Sequence, residues 1–183
     1  MKNHNTVKNM TLCAVCIALC VVLPIAFHSI PNAGSVFLPM HIPVLICGMI
    51  CGWPYGLLCG LMGPMLSGFL TGMPPMAILP AMMVECGTYG LVSGLMLKWV
   101  RSGKTYVDLY SALIVAMLAG RIVSGIAKAL IFSPGIALSA WVAASFVTAL
   151  PGIVIQLVFL PGVVFTLMKA KVIPLRYHKQ IAE

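Results

Sequence analysis

Charged side chains are scarce in this chain, and acidic side chains are almost absent. Only 8% of the 183 residues are charged, and only three of them are Asp or Glu. A soluble domain carries about 25% charged residues, because its surface must face water. Here 61% of the residues are hydrophobic. We therefore expect a single all-α integral membrane domain over residues 1–183, which crosses the plasma membrane several times with the lipid bilayer as its surroundings.

Signatures of nucleotide, metal and cofactor sites are also missing. The chain has no G-x-x-x-x-G-K-[ST] motif, so we expect no ATP hydrolysis by this chain itself. Cys13 and Cys16 form a C-x-x-C pair without a nearby histidine or acid. We interpret the cysteines as small apolar filler and expect no metal and no cofactor. No signal-peptide cleavage pattern is evident, so we expect the first helix to be retained.

Apolar runs separated by Gly, Pro, Asn and Ser clusters predict six membrane helices. The second and third are shorter than the roughly 20 residues of a simple span and are rich in glycine. Residues 133–145 are expected to form a long loop or a partly helical cap. The predicted helices cover residues 9–30, 39–51, 55–70, 76–100, 107–132 and 146–168.

The basic residues predict the orientation of these helices. The positive-inside rule places the side richer in Lys and Arg in the cytoplasm, and both termini then lie there. The net charge of +8 therefore needs no nucleic-acid partner to explain it. If the six helices alternate across the membrane, nine of the eleven Lys and Arg residues fall on one side: Lys2, Lys8, Lys98, Arg101, Lys104, Lys169, Lys171, Arg176 and Lys179.

Three charged residues lie away from the ends of the predicted spans: Glu85, Arg121 and Lys128. Each charge at mid-membrane costs about 2.5–3.5 kcal/mol, so these side chains should face a cavity or each other. A rise of about 1.5 Å per residue puts Glu85 about 13 Å, Arg121 about 16 Å and Gln156 about 15 Å below the outer surface. Lys128 is expected nearer that surface, where its ammonium group would reach the headgroups.

Each candidate residue has a structural as well as a functional interpretation. Glu85 and Arg121 form either an ion pair that joins two helices or contacts to a ligand. Gln156 is either an interhelical hydrogen-bonding residue or a ligand contact. Tyr89, one helical turn from Glu85, either packs or lines the same face.

Three further candidates lie towards the predicted outer surface. His41 is either a residue at a helix start or a contact to a ligand or its lid. Asn32 in the first outer loop is either an ordinary loop residue or part of a lid. Trp141 is either an anchor at the membrane interface or part of the rim of a site.

Several segments together resemble the substrate-binding S components of energy-coupling factor (ECF) vitamin transporters. The resemblance extends over nearly the whole chain. It is carried by FLPMHIPVL at 37–45, GWPYG at 52–56, TGMPP at 71–75, Glu85-x-x-x-Tyr89-Gly90, AGR at 119–121 and Ala14-x-x-x-Ala18.

The resemblance implies a bundle of six helices with both termini inside and a ligand pocket near the outer face. It implies that the ligand is a vitamin or a vitamin precursor. The implied partners are a membrane coupling subunit and two ABC ATPases, with Ala14 and Ala18 forming the docking surface. The implied ligand contacts are Glu85, Tyr89, Arg121 and Gln156, and the implied lid or rim residues are Asn32, His41 and Trp141.

Two functions of other classes remain as alternatives. A self-sufficient secondary carrier of a small polar metabolite would be favoured by inverted internal repeats, and none is convincing. A small intramembrane enzyme would need a serine and a histidine at one depth, but Ser93 is predicted in the inner half and His41 in the outer half. We therefore expect a binding subunit and no catalysis.

Overall fold

The described part of the chain is a bundle of α-helices. The computed structural model describes residues 2–26, 36–132 and 138–170, and every regular element in these ranges is helical. Two π-helical segments, Lys128–Phe132 and Ala143–Thr148, follow α5 and α6. In chain order the α-helices are α1 (Lys2–Ala26), α2 (His41–Cys51), α3 (Trp53–Thr71), α4 (Leu79–Trp99), α5 (Thr105–Ala127), α6 (Leu138–Val142) and α7 (Leu150–Lys169).

The helix boundaries agree with the sequence prediction except at some ends. Helix α1 extends back to Lys2, so it includes residues that were predicted to precede the first helix at position 9. Helix α4 begins at Leu79 rather than at residue 76, after a turn in which the backbone N–H groups of Ile78 and Leu79 donate to Pro75 O. Pro80 is tolerated in the first turn of α4, where its missing N–H would have no helical partner.

Three helices are long and apolar enough to cross a membrane by length and composition. They contain the spans Thr6–Ala26, Thr105–Leu130 and Leu150–Lys169. Helices α3 and α4 have comparable lengths of 19 and 21 residues, whereas α2 has only 11. The described residues therefore have the structure of an all-helical membrane protein.

Helix α4 lies at the centre of the bundle. It packs against α2, α3 and α5, while α7 contacts α2 and α5 at the side. All seven cysteines are buried and reduced, and they belong to one core cluster with Val44, Leu45 and Tyr89. This environment agrees with the interpretation of the cysteines as apolar filler.

The glycines of α3 and α4 let the two backbones touch. A methyl group added at Gly90 would collide with the carbonyl group of Gly56, and one added at Gly56 would collide with the carbonyl of Gly90. Since both obstacles are backbone atoms rather than flexible side chains, neither helix can give way locally. This contact holds α4, with Glu85 and Tyr89, at a fixed distance from α3.

We expect Gly90→Ala to lower the free energy of unfolding by about 1–3 kcal/mol, because the extra methyl group must separate α3 from α4. The matched control is Gly162→Ala in α7, where an added Cβ meets no atom within 4 Å. That variant should leave stability unchanged or raise it by up to about 1 kcal/mol. Thermal melts of the two proteins in the same detergent provide the measurement, and equal melting temperatures would refute the close contact.

Candidate functional site

A buried carboxylate on α4 is the centre of a polar cluster. Glu85 is only 8% exposed, and both of its oxygens accept a hydrogen bond. The Tyr89 hydroxyl, one helical turn further along α4, donates to Oε1 over 3.0 Å. The Ser124 hydroxyl on α5 donates to Oε2 over 3.1 Å. The carboxylate therefore links α4 to α5 within an otherwise apolar interior.

Two cationic or potentially cationic groups lie beside the same carboxylate. Lys128 Nζ, in the π-helical segment after α5, is 3.9 Å from Glu85 Oε2. His41 Nε2, in the first turn of α2, is 3.6 Å from Glu85 Oε1. The second distance is too long for a hydrogen bond, and both ring nitrogens of His41 lack a hydrogen-bond partner among the described residues. His41 thus approaches the carboxylate but keeps unused hydrogen-bonding capacity.

The ring of Tyr89 fits into the bundle because the opposite residue on α5 has no side chain. A Cβ atom at Gly120 would occupy the position of the Tyr89 ring edge. The Tyr89 ring also packs against the His41 ring, with centroids 5.0 Å apart and planes inclined at 56°. This packing fixes the ring whose hydroxyl donates to Glu85.

Arg121 is buried in the same part of the bundle, and no acid of the described residues forms an ion pair with it. Its side chain is on α5, it is 4% exposed, and its Nε and Nη2 atoms have no hydrogen-bond partner there. Its guanidinium carbon lies 5.9 Å from the centroid of the Phe146 ring. Glu85 pairs with His41 and Lys128 rather than with Arg121. The predicted alternative of an ion pair between Glu85 and Arg121 is therefore not the observed arrangement.

Gln156 on α7 is another buried polar residue without a partner among the described residues. It has no exposed surface, and neither its side-chain oxygen nor its side-chain nitrogen is hydrogen-bonded. The interhelical hydrogen bond considered from the sequence is not formed within the described ranges. An unsatisfied buried group of this kind costs about 1–3 kcal/mol, which a bound polar molecule would relieve.

Trp141 packs at the end of α5 rather than standing free in a loop. Its indole ring covers Gly125, where an added Cβ would touch the ring, and meets the Phe146 ring edge-on at 6.0 Å. Its indole N–H is buried and has no partner in the described part of the chain. Trp141 therefore adjoins Phe146 and, through it, the Arg121 guanidinium. Asn32, the remaining predicted lid residue, lies outside the described residues.

Two members of the polar cluster were missed by sequence reasoning. Ser124 was not among the candidate residues, and Lys128 was expected to extend to the headgroups. The structure brings both side chains to Glu85. A signal was present, since positions 121, 124 and 128 follow the i, i+3, i+7 spacing of one helix face.

The two alanines predicted for partner docking are on the outer face of α1. Ala14 and Ala18 are exposed, whereas Cys13, Cys16 and Cys20 of the same helix face the core. Small exposed side chains let another helix approach closely. The geometry of this face is therefore compatible with helix docking.

A separate cavity lies away from the polar cluster. It has a volume of about 280 Å³ and is found where α2 turns into α3, beside the end of α4. Its lining includes Gly52, Trp53 and Lys98 but none of the polar candidates. Glu85, Tyr89 and Ser124 are instead buried among neighbouring side chains.

The polar residues of the described part of the chain form neither a metal site nor a serine–histidine pair. Among the described residues, no three His, Cys, Asp or Glu side chains are placed to hold a metal ion. The Ser93 hydroxyl donates to Gly90 O over 3.3 Å and so does not form a serine–histidine pair. Buried polar groups with free hydrogen-bonding capacity in a helical membrane protein are typical of a protein that binds a small polar molecule.

Comparison with known families identifies the class more closely. Residues 8–172 match the family described as "ECF transporter, substrate-specific component", so this chain belongs to that family. It is a substrate-specific membrane subunit of an ECF transporter, and its family implies a small-molecule substrate and an ECF module as partner. Neither the curated proteins nor the solved structures contain a match to the chain.

We expect Tyr89→Phe to destabilise the ligand-free protein by about 1.5–3 kcal/mol, because a buried carboxylate loses one of its two hydrogen bonds. Tyr110→Phe on the same bundle is the control, since Tyr110 is 40% exposed on the outside of α5. Thermal melts of both purified variants without added ligand test the difference. A Tyr89→Phe protein as stable as the control would show that the hydroxyl contributes nothing to the cluster.

Proposed function

We propose that this chain is the high-affinity binding subunit for uptake of a vitamin or vitamin precursor across the plasma membrane. It delivers the ligand to an ECF module made of a membrane coupling subunit and two ABC ATPases, which supply the energy. The main support is the state of three buried polar residues. His41, Arg121 and Gln156 are each at most 4% exposed, yet keep hydrogen-bonding groups that no described residue uses.

The proposed ligand site lies between α2, α4, α5 and α7. Contacts of α5 with α7, and of α2 with α4 and α7, support a common site. In this proposal Trp141 belongs to the rim and Asn32 to the lid. The ligand contacts are proposed to be His41 on α2, Glu85 and Tyr89 on α4, Arg121 on α5 and Gln156 on α7.

The proposed topology has six membrane spans with both termini in the cytoplasm. At about 1.5 Å per residue, α3 and α4 are about 28–32 Å long, close to the hydrocarbon thickness. Helix α2 is much shorter, at about 16–17 Å, and is proposed as the remaining span. Lys98, Arg101 and Lys104 are exposed around the α4–α5 connection, which supports a cytoplasmic location for that loop.

The coupling subunit is proposed to dock on the face of α1 that carries Ala14 and Ala18. These exposed residues leave room for a partner helix to approach the α1 backbone. The chain itself is proposed to have no enzymatic activity, because transport energy comes from the partner ATPases. Nucleic acid has no part in this function.

The topology makes a prediction that reporter fusions can test. A reporter placed after Gly103, in the α4–α5 loop, should report a cytoplasmic location, and so should one placed at the C-terminus. A reporter inserted after Gly72, between α3 and α4, should report the opposite side. The same side for all three insertions would contradict alternate crossing by α4.

We expect a single member of a panel of water-soluble vitamins and precursors to raise the melting temperature of the detergent-purified protein strongly. A ligand present at about 100 times its Kd stabilises the folded state by about 2.7 kcal/mol, which is about 5–11 °C for a domain of this size. A thermal-shift titration provides the measurement. No shift with any compound would count against the proposed function.

A pair of variants on α7 connects this shift to the proposed site. Gln156→Leu should abolish the shift, because the ligand loses its contacts to the buried amide. Thr166→Val is the matched control, since Thr166 is an exposed polar residue of the same helix and donates only to Gly162 O. The control should retain the full shift. Equal shifts in both variants would place the ligand elsewhere.

A further inference from the structure

We infer that the ligand carries one carboxylate group, which is held by a single edge of the Arg121 guanidinium. The ligand itself has no positively charged group. This substrate class rests on the proposed function and makes it more specific. It follows from three features: which charges are already paired, which edge of the Arg121 guanidinium has unpartnered buried nitrogens, and which hydrogen-bonding groups of the buried Gln156 amide have no partner among the described residues.

The charge of Glu85 is already compensated within the protein. Its oxygens accept hydrogen bonds from Tyr89 and Ser124, and Lys128 Nζ lies 3.9 Å away. A cationic group of a ligand would have to displace one of these contacts. Glu85 therefore holds the cluster together without needing a positive charge from the ligand.

Arg121, in contrast, forms no ion pair with an acid of the described residues. A guanidinium group stays protonated in proteins, and this one is 4% exposed. The acid nearest to its position, Glu85, is paired with other groups. The other buried acid of the described residues is Asp108, in the first turn of α5 and more than three helical turns from Arg121. Asp108 accepts a hydrogen bond from Ser102.

The balance of charges at the cluster gives the charge of the ligand. Arg121 and Lys128 bring two positive charges, and Glu85 brings one negative charge. One positive charge therefore remains when His41 is neutral. A ligand with a single negative charge would neutralise the site.

The free atoms of Arg121 define the shape of the anionic group. Nε and Nη2 are its two unpartnered buried nitrogens, and their N–H bonds lie parallel along one edge of the guanidinium plane. Two parallel donors match the two oxygens of a planar carboxylate. Phe146 lies near the guanidinium, at 5.9 Å from its carbon, and helps to fix the position of that group.

A carboxylate fits this environment better than a phosphate group. A phosphate monoester carries about −1.5 to −2 charge and three acceptor oxygens, which exceeds one unpaired positive charge and one free edge. The Gln156 amide additionally lacks partners for both its donor and its acceptor, so the rest of the ligand should offer both, as an amide, ureido or hydroxyl group does.

The decisive experiment compares acids with uncharged analogues of nearly equal shape by calorimetric titration of the detergent-purified full chain. The probes are pantothenate against pantothenyl alcohol, nicotinate against nicotinamide and biotin against biotin amide. Thiamine serves as a cationic probe and pyridoxal 5′-phosphate as a phosphate probe. We expect one acid to bind at least about 100-fold more tightly than its uncharged analogue, because a desolvated charge pair is lost.

Variants at Arg121 assign the effect to this side chain. Arg121→Met should weaken binding of the acid by about 100-fold or more while leaving the weak binding of the uncharged analogue unchanged. Arg121→Lys should restore part of the affinity, because it keeps the charge but not the two parallel donors. Arg101→Met is the matched control, since Arg101 is exposed in the α4–α5 loop.

The melting temperature of the ligand-free protein distinguishes a ligand-binding role of Arg121 from a structural role. If Arg121 is an uncompensated buried charge, Arg121→Met should raise the melting temperature of the empty protein by about 2–4 °C or more. If Arg121 instead stabilises the fold through an ion pair, the same substitution should lower it. A lower melting temperature would overturn the inference.

The remaining outcomes distinguish a failure of the carboxylate assignment from a failure of the proposed function. Tight binding of an uncharged or cationic probe, tighter binding of the phosphate probe, or acid binding unaffected by Arg121→Met would overturn the carboxylate assignment and leave the binding function intact. Failure of every probe, together with no small molecule retained by the purified protein, would count against the proposed function and the carboxylate together.

Discussion

A carboxylate in the interior of a membrane protein is costly unless other groups compensate it, and the arrangement around Glu85 follows from this requirement. Tyr89 and Ser124 donate to its two oxygens, and Lys128 and His41 approach it from the segment after α5 and from α2. The contacts of this carboxylate therefore join α2, α4 and the C-terminal end of α5, with the segment after it, at one point. The tight glycine contact between α3 and α4 holds that point in place.

Two other buried polar residues differ from Glu85 in their partners. Glu85 is paired with His41 and Lys128, and Arg121 has no ionic partner among the described residues. The buried Gln156 amide likewise has no hydrogen-bond partner there. Each unpaired group lowers the stability of the folded protein. If position 121 had only a structural role, an apolar residue there would make the bundle more stable. We propose that a bound molecule satisfies both groups, in keeping with a family of substrate-specific subunits.

Much of this structure could be predicted from the sequence. The apolar composition predicted a helical membrane protein, and the turn residues predicted most helix boundaries within a few positions. The individual contacts could not be predicted. Two π-helical segments carry Lys128 and Phe146, and no local sequence pattern indicates such a segment in advance. Lys128 was therefore expected at the headgroups, and the pairing of Glu85 with Arg121 remained an open alternative.

Binding of one small polar molecule at the buried cluster can be observed by native mass spectrometry. The protein would be extracted gently from cells grown in rich medium, so that its natural ligand stays bound. We expect one small molecule of a single mass on each chain, and its loss in the Arg121→Met variant. A bare protein mass, or an adduct that persists equally in that variant, would show that Arg121 and its neighbours do not form the ligand site.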